Sequence, residues 1–314
     1  MNVTHRAAFP PVSTPVITDA GLETWLVFDC GIELPSFAAY PLVGTDEGRS
    51  VLPRYYRSYM AIAERVGAAI VLETPTWRAN PDWAATLGDD RARLRELLEA
   101  SVDLLVGLRG EWRGDQPFIV GAAVGPRGDG YVLDEAMTPD EAAAYHAFQI
   151  DCLSATPVDV VTAMTITSSD EGIGIARAAQ QAELPVVISY TVETDGRLPS
   201  GEGLGQAITA TDEATDAYPA HYMINCAHPT HFDHVLDAAA PWTSRVGALR
   251  ANASMLSHAE LDDADELDAG DPADLARRYC DLRTSLPALH VIGGCCGTDD
   301  RHVEAIADAF IAAS

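Results

Sequence analysis

Short, nearly continuous apolar runs recur along the chain, and each is followed by a longer segment with the periodicity of an amphipathic helix. The apolar runs are rich in β-branched residues and show no polar face, which is typical of strands buried on both sides in a parallel sheet. They span residues 15–21, 68–76, 118–126, 158–166, 185–192, 221–229, 245–254 and 289–297. The pattern predicts strands and helices that alternate around one large core.

The amphipathic segments carry local helix signals as well as an apolar stripe. Thr138 and Glu141 have the spacing of a capping box, and Asp271 precedes Pro272 at another helix start. The segments span residues 51–67, 89–112, 138–155, 169–183, 202–215, 231–240, 271–286 and 299–313. Eight strand–helix units predict an α/β fold, a (β/α)8 TIM barrel formed by a single domain over residues 1–314. A doubly wound open sheet is the alternative, but no Gly-x-Gly-x-x-Gly sequence opens a helix.

Composition and charge narrow the functional classes. The 314 residues carry a net charge of −27, so the surface repels nucleic acid and anionic membranes. All 20 basic residues are arginine, and without lysine the protein forms no Schiff base and holds no pyridoxal phosphate covalently. No apolar stretch reaches the ~18 residues of a membrane span, and the N-terminal segment has no apolar secretory region. We therefore expect a cytoplasmic protein with reduced cysteines.

Three cysteines fall where predicted strands end. Cys226 lies near the end of the sixth apolar run, and the adjacent pair Cys295 and Cys296 lies near the end of the eighth. Neighbouring side chains converge only where a strand breaks into a turn, and the glycines on both sides of the pair permit that backbone. Three thiolates are an incomplete tetrahedral set, which is typical of a catalytic zinc site with one open position. The other interpretation is that these cysteines are small buried hydrophobic residues.

The cysteine motifs resemble those of the homocysteine S-methyltransferase family. The specific pieces are "INCAHP" at 224–229 and "GGCCGT" at 293–298, and weaker support comes from "TDAGLETWL", "AVGPRGDGY" and "ISYTVETDGRLPSGEGL". The resemblance implies a zinc-dependent barrel that methylates homocysteine to methionine. Zinc with three thiolates would hold the substrate thiol deprotonated and nucleophilic. The methyl donor would be a small sulfonium or ammonium compound, because we find no cobalamin-binding segment and no adenosylmethionine-binding Rossmann segment in the sequence.

The resemblance also implies substrate-binding residues at the end of the first strand. Asp19 matches the family aspartate that binds the amino group of homocysteine, and the backbone of Ala20 and Gly21 matches the region near its carboxylate. We expect Asn225 to support the cysteine loop by hydrogen bonds.

Aromatic and basic residues follow the second and third apolar runs. Trp77 and Tyr131 are candidates for a cation–π contact with a methylated sulfonium or ammonium, although either also suits packing. Arg78 is a candidate for a carboxylate.

One position departs from the family pattern. The family has a glutamate at the end of the fourth strand that holds the ammonium group of homocysteine, and this chain has Met164 there. Glu73 or Asp170 would have to supply the missing carboxylate. Otherwise the acceptor is a thiol without a free amino group.

The sequence therefore leaves three functions open. The first is a zinc-dependent methyltransferase acting on homocysteine, with a small-molecule thiol and a methyl donor as its partners. The second is methyl transfer to or from another thiol or selenol that lacks a free amino group. The third is a noncatalytic zinc-binding barrel, in which a fourth ligand such as His228 would close the site. The protein is expected to be a monomer or a homo-oligomer, with neither nucleic acid nor membrane as a partner.

Overall fold

Eight parallel strands close into a barrel in the computed structural model, which describes residues 7, 9–133, 136–262, 264 and 266–313. The strands are β1 (Val16–Thr18), β2 (Ala69–Thr74), β3 (Phe118–Val124), β4 (Val160–Ile166), β5 (Val186–Tyr190), β6 (Tyr222–Asn225), β7 (Val246–Ala251) and β8 (Val291–Gly294). Each strand pairs with its sequence neighbours, and β1 pairs with β8. The predicted (β/α)8 barrel is confirmed and the open sheet is excluded. A single domain over all of residues 1–314 stays a prediction.

Helices follow the strands and form the outer layer. They are α1 (Leu22–Thr24), α2 (Asp46–Val66), α3 (Pro81–Leu87), α4 (Arg91–Glu111), α5 (Pro139–Ser154), α6 (Ser169–Gln181), α7 (Leu204–Thr215), α8 (Pro229–Phe232), α9 (His258–Asp262), α10 (Pro272–Leu282) and α11 (Asp300–Ala312). Thr138 and Glu141 form the predicted capping box, and the Asp271 side chain accepts a hydrogen bond from the N–H of Ala273. Both predicted helix starts are confirmed.

The helix predicted over residues 231–240 is wrong in its extent. The structure has the single turn α8 followed by a short 3₁₀ turn, Asp233–Val235, and the backbone is extended at Leu236. Pro241 disfavours a helical conformation at the residue before it, and the three alanines that precede it offer little apolar surface to pack. The segment therefore has a helical composition, but Ala238 and Ala239 are exposed and provide no buried face to hold a helix.

The barrel interior changes from apolar to polar towards the carboxyl ends of the strands. A buried apolar cluster fills its lower part: Val16, Ala69, Val71, Ile119, Val160, Val187, Met223, Ala248 and Val291. Two residues further along, the same inward faces carry buried polar side chains: Glu73, Thr162, Ser189, Asn225 and Arg250. The chemistry is therefore concentrated at the carboxyl end of the barrel, where enzymes of this fold have their active sites. None of the helices in the described ranges is long and apolar enough to cross a membrane.

Candidate metal centre and substrate pocket

The three cysteines predicted from the sequence converge at the carboxyl ends of β6 and β8. The Sγ atoms of Cys226, Cys295 and Cys296 all lie within 4.8 Å of one another. Cys226 and Cys295 are within disulfide-bonding distance, and the Sγ atoms of Cys226 and Cys296 are 3.7 Å apart. Gly297 has a φ of +76°, so the chain turns directly after the cysteine pair and both neighbours can face one point. As reduced thiols, the three fit the ligand set of a zinc ion with one open position.

The backbone at Cys226 is held in an unusual conformation. Its φ is +52°, in the left-handed region that non-glycine residues seldom adopt. Its carbonyl oxygen lies 2.6 Å from Nε2 of His258 and accepts a hydrogen bond from Nδ2 of Asn252 at 3.1 Å. Nδ1 of His258 is 2.9 Å from Oε1 of Glu193, which fixes the ring. No motif in the sequence reveals this group of residues, which orients the Cys226 thiol towards the other two.

Asn225 lies beside the cysteine loop and bonds to the end of β4. Its Oδ1 accepts hydrogen bonds from the Thr165 N–H at 2.8 Å and from Oγ of Ser189 at 2.5 Å. Its Nδ2 donates to Oγ1 of Thr165 at 2.9 Å and is 3.8 Å from Sγ of Cys295. Its supporting role at the cysteine loop stays a prediction, and these contacts are suited to it.

Asp19 forms an ion pair that the sequence did not reveal. Its Oδ1 is 3.0 Å from Nη1 of Arg250, and both side chains are buried. Arg250 also donates from Nε to the carbonyl oxygen of Gly294 and from Nη2 to that of Ala20, each at 2.9 Å. Burial raises the pKa of Asp19, and the guanidinium of Arg250 opposes that shift. The one available signal was a charged residue inside the apolar run 245–254.

The N–H groups next to Asp19 already have partners. The N–H of Ala20 donates to the hydroxyl of Tyr55 at 3.1 Å, and that of Gly21 to the carbonyl oxygen of Thr298 at 3.4 Å. Both residues line the pocket, but these two N–H groups are engaged within the protein. A side chain at position 21 would also meet the carbonyl oxygen of Cys295 at 2.6 Å, so glycine is required there.

Glu73 and Met164 line the same pocket as the cysteines. Oε1 of Glu73 accepts a hydrogen bond from Oγ1 of Thr162 at 2.6 Å, and Oε2 has no hydrogen-bond partner within the described chain. Burial raises the pKa of Glu73 to about 7. Asp170, the other candidate for the missing carboxylate, is exposed in the first turn of α6 and does not line the pocket.

A second cavity joins this pocket at Cys296, and aromatic rings form much of its wall. The hydroxyl of Tyr131 is 3.8 Å from Sγ of Cys296, and Trp77 lines both spaces. The guanidinium of Arg78 lies 4.2 Å from the ring centroid of Trp77 and 4.1 Å from that of Trp83. Electron-rich rings beside the cysteines suit a cationic methyl group.

His228 does not join the cysteines. Its Nδ1 is 2.8 Å from Oγ1 of Thr230, and its side chain caps α8. In the part of the chain that the structure describes, the three cysteines are the only group of three or more His, Cys, Asp and Glu residues whose ligand atoms come close enough to hold a metal ion. The closed site expected of a noncatalytic zinc-binding barrel is therefore not formed by His228.

Together, the fold and the site define a (β/α)8-barrel enzyme with a three-cysteine metal centre. Residues 16–310 match the sequence profile described as Homocysteine S-methyltransferase. The chain therefore belongs to the homocysteine S-methyltransferase family. The predictions of the family, of a methyltransferase enzyme and of zinc as its cofactor are confirmed.

The solved structures that resemble this chain include the homocysteine methyltransferase MmuM from Escherichia coli. Its metallated form superposes with a TM-score of 0.71 at 19% identity, covering 94% of this chain and 96% of that one. Its oxidized form gives 0.71 at 19% identity, with 94% and 95% covered. At this identity the likeness shows the fold alone. No curated protein sequence matches the chain.

Proposed function

We propose that the protein transfers a methyl group from a small sulfonium or ammonium donor to the sulfur of homocysteine, giving methionine. Zinc would be held by Cys226, Cys295 and Cys296. The observation that carries this proposal is the convergence of three sulfur atoms at one pocket, where no fourth protein ligand comes close among the residues described. The open position would face the pocket and admit the substrate sulfur.

When bound, zinc keeps a coordinated thiol deprotonated near neutral pH. Without the metal, burial raises the pKa of the Cys296 thiol to about 11, so this ligand stays protonated at neutral pH. The remaining residues of the site orient the cysteine ligands and enclose the pocket. His258 and Asn252 hold the Cys226 carbonyl, and Asn225 contacts Cys295.

The donor would approach through the second cavity. Trp77 and Tyr131 flank the space beside Cys296 and offer ring faces to a positively charged methyl group. Nε of Arg78 is buried without a hydrogen-bond partner in the described residues, so a donor that carries a carboxylate would find a cation there. Transfer from a cationic donor to a thiolate neutralises charge, so this step needs no general base.

The cellular setting is part of the same proposal. Thiolate ligands require a reducing compartment, so we place the protein in the cytoplasm. The net charge of −27 argues against nucleic acid and anionic membranes as partners.

A second candidate function is methylation of a thiol without a free amino group. Two observations favour it: Met164 is apolar, and the carboxylate of Asp19 is already paired with Arg250. Zinc-loaded protein incubated with pairs of thiols and methyl donors, with products read by mass, tests both functions. Transfer to homocysteine supports the first, and transfer confined to thiols without an amino group supports the second.

A further inference from the structure

We infer that Glu73 binds the ammonium group of the acceptor and so determines its selectivity. This inference rests on the proposed function and names the residue that compensates for Met164.

The side chain of Glu73 crosses from β2 towards β4. It passes over Gly121 of β3, where an added Cβ would collide with Oε2 of Glu73. Its Oε1 reaches Oγ1 of Thr162 on β4 at 2.6 Å. Thr162 and Met164 are two residues apart and share the inward face of that strand. The carboxyl group of Glu73 therefore lies about 7 Å or less along the strand from the position of Met164.

Two buried carboxyl oxygens of the pocket have no hydrogen-bond partner among the described atoms, Oδ1 of Asp19 and Oε2 of Glu73, and the first of them lies beside the guanidinium of Arg250. Glu73 is only 5% exposed, and Oε2 has no partner among the described atoms. Buried carboxyl oxygens normally have a donor, so this atom indicates a ligand. Asp19 is paired with Arg250, and Glu23, the third acid of the pocket, is partly exposed, although burial raises its pKa to about 7 as well.

The charge of Glu73 depends on what occupies the pocket. Burial raises its pKa to about 7, so the free protein holds the group between its neutral and ionised forms at neutral pH. An ammonium beside it favours the carboxylate. A thiol without an ammonium gives no such compensation, so the group stays divided between its neutral and ionised forms. The two kinds of acceptor therefore differ by a charge-assisted hydrogen bond in a buried site.

The test compares homocysteine with 4-mercaptobutanoate, the same molecule without its amino group. We expect the wild-type protein to prefer homocysteine in kcat/KM, and Glu73→Gln to lower that preference by about 10- to 100-fold, since one charge-assisted hydrogen bond is lost. Glu99→Gln, on the exposed face of α4 and outside the pocket, is the control and should leave the preference within about twofold. Adding Met164→Glu to the Glu73→Gln protein should restore most of it.

Binding without catalysis separates this inference from the proposed function. Calorimetry of both thiols with zinc-loaded, donor-free protein should show the same Glu73-dependent preference. If that preference is present while no donor gives methylated product, the proposed function fails and the inference stands. A wild-type protein without preference, or an unchanged preference in folded Glu73→Gln protein, overturns the inference while methylation stands. Thr162→Val supplies a second variant, and it should weaken the preference in the same direction because it releases the Glu73 carboxyl group.

Discussion

Arg250 and Asp19 form a buried ion pair whose charged atoms, Nη1 and Oδ1, are 3.0 Å apart at the carboxyl end of the barrel. The same guanidinium bonds to carbonyl oxygens of Ala20 and Gly294. One side chain on β7 therefore connects the chain that follows β1 to the end of β8, next to the cysteine pair. It neutralises the charge of Asp19 within the pocket at the same time.

Removing the guanidinium of Arg250 should destabilise the folded protein. Arg250→Met leaves the carboxylate of Asp19 buried without a counter-charge, with only the hydroxyl of Tyr55 at 3.5 Å from Oδ2, and we expect a loss of about 3 to 5 kcal/mol in the free energy of unfolding. Chemical denaturation of the metal-free protein measures it. Adding Asp19→Asn should recover part of the loss, because it removes the stranded charge. Arg65→Met, which breaks an exposed pair with Asp308, is the control and should have little effect. Equal losses in both variants would contradict the buried pairing.

The metal ligands can be tested one at a time. Replacing Cys226, Cys295 or Cys296 by serine should lower zinc content below one ion per chain and abolish methyl transfer, since the site loses one of three thiolates. Cys280→Ser, on α10, is the control and should retain full zinc. Metal analysis of purified proteins gives the answer directly. Full zinc content in the variant that lacks all three cysteines would end this proposal.

His258 should affect metal affinity without being a ligand. Its Nε2 holds the carbonyl oxygen of Cys226, so His258→Ala frees the strained backbone at that residue. Loss of such supporting contacts typically costs about 10- to 100-fold in metal affinity. Competition with a chelator measures the change, and exposed His234→Ala serves as the control. Unchanged affinity in folded His258→Ala protein would show that the backbone holds its shape unaided.

Asp19 is expected to act on the acceptor rather than on the metal. Asp19→Asn should raise the KM for the acceptor or lower kcat/KM, and leave zinc content unchanged, because the carboxylate is not a member of the cysteine cluster. Steady-state kinetics beside metal analysis test this. Lost zinc with unaltered acceptor kinetics in the remaining zinc-loaded protein would assign Asp19 to the metal site instead.

The parts of this protein that depend on local pattern could be predicted from its sequence. Apolar runs located all eight strands, and the break after Gly294 indicated that Cys295 and Cys296 face one point. The partners of Arg250 and Glu73 could not be predicted in this way. Their contacts reach side chains or carbonyl groups on other strands, and the register and tilt that bring them together come from closure of the barrel.

Glu73 should make stability depend on pH in a defined direction. Its pKa is raised from 4.5 to about 7 in the folded protein, so its contribution is fully present below about pH 4.5 and is lost as the pH rises towards 7. Glu73→Gln removes this dependence. Each pKa unit corresponds to about 1.4 kcal/mol. The free energy of unfolding of the variant should therefore rise by about 2 to 3 kcal/mol relative to that of the wild type between pH 5 and pH 8. Urea denaturation of metal-free protein at both values measures the gain.

Glu99→Gln on the exposed face of α4 is the control, and its free energy of unfolding should change with pH as that of the wild type does. If the free energy of unfolding of Glu73→Gln protein also changed with pH as in the wild type, Glu73 would already be ionised at pH 5, with a cationic partner in the folded protein.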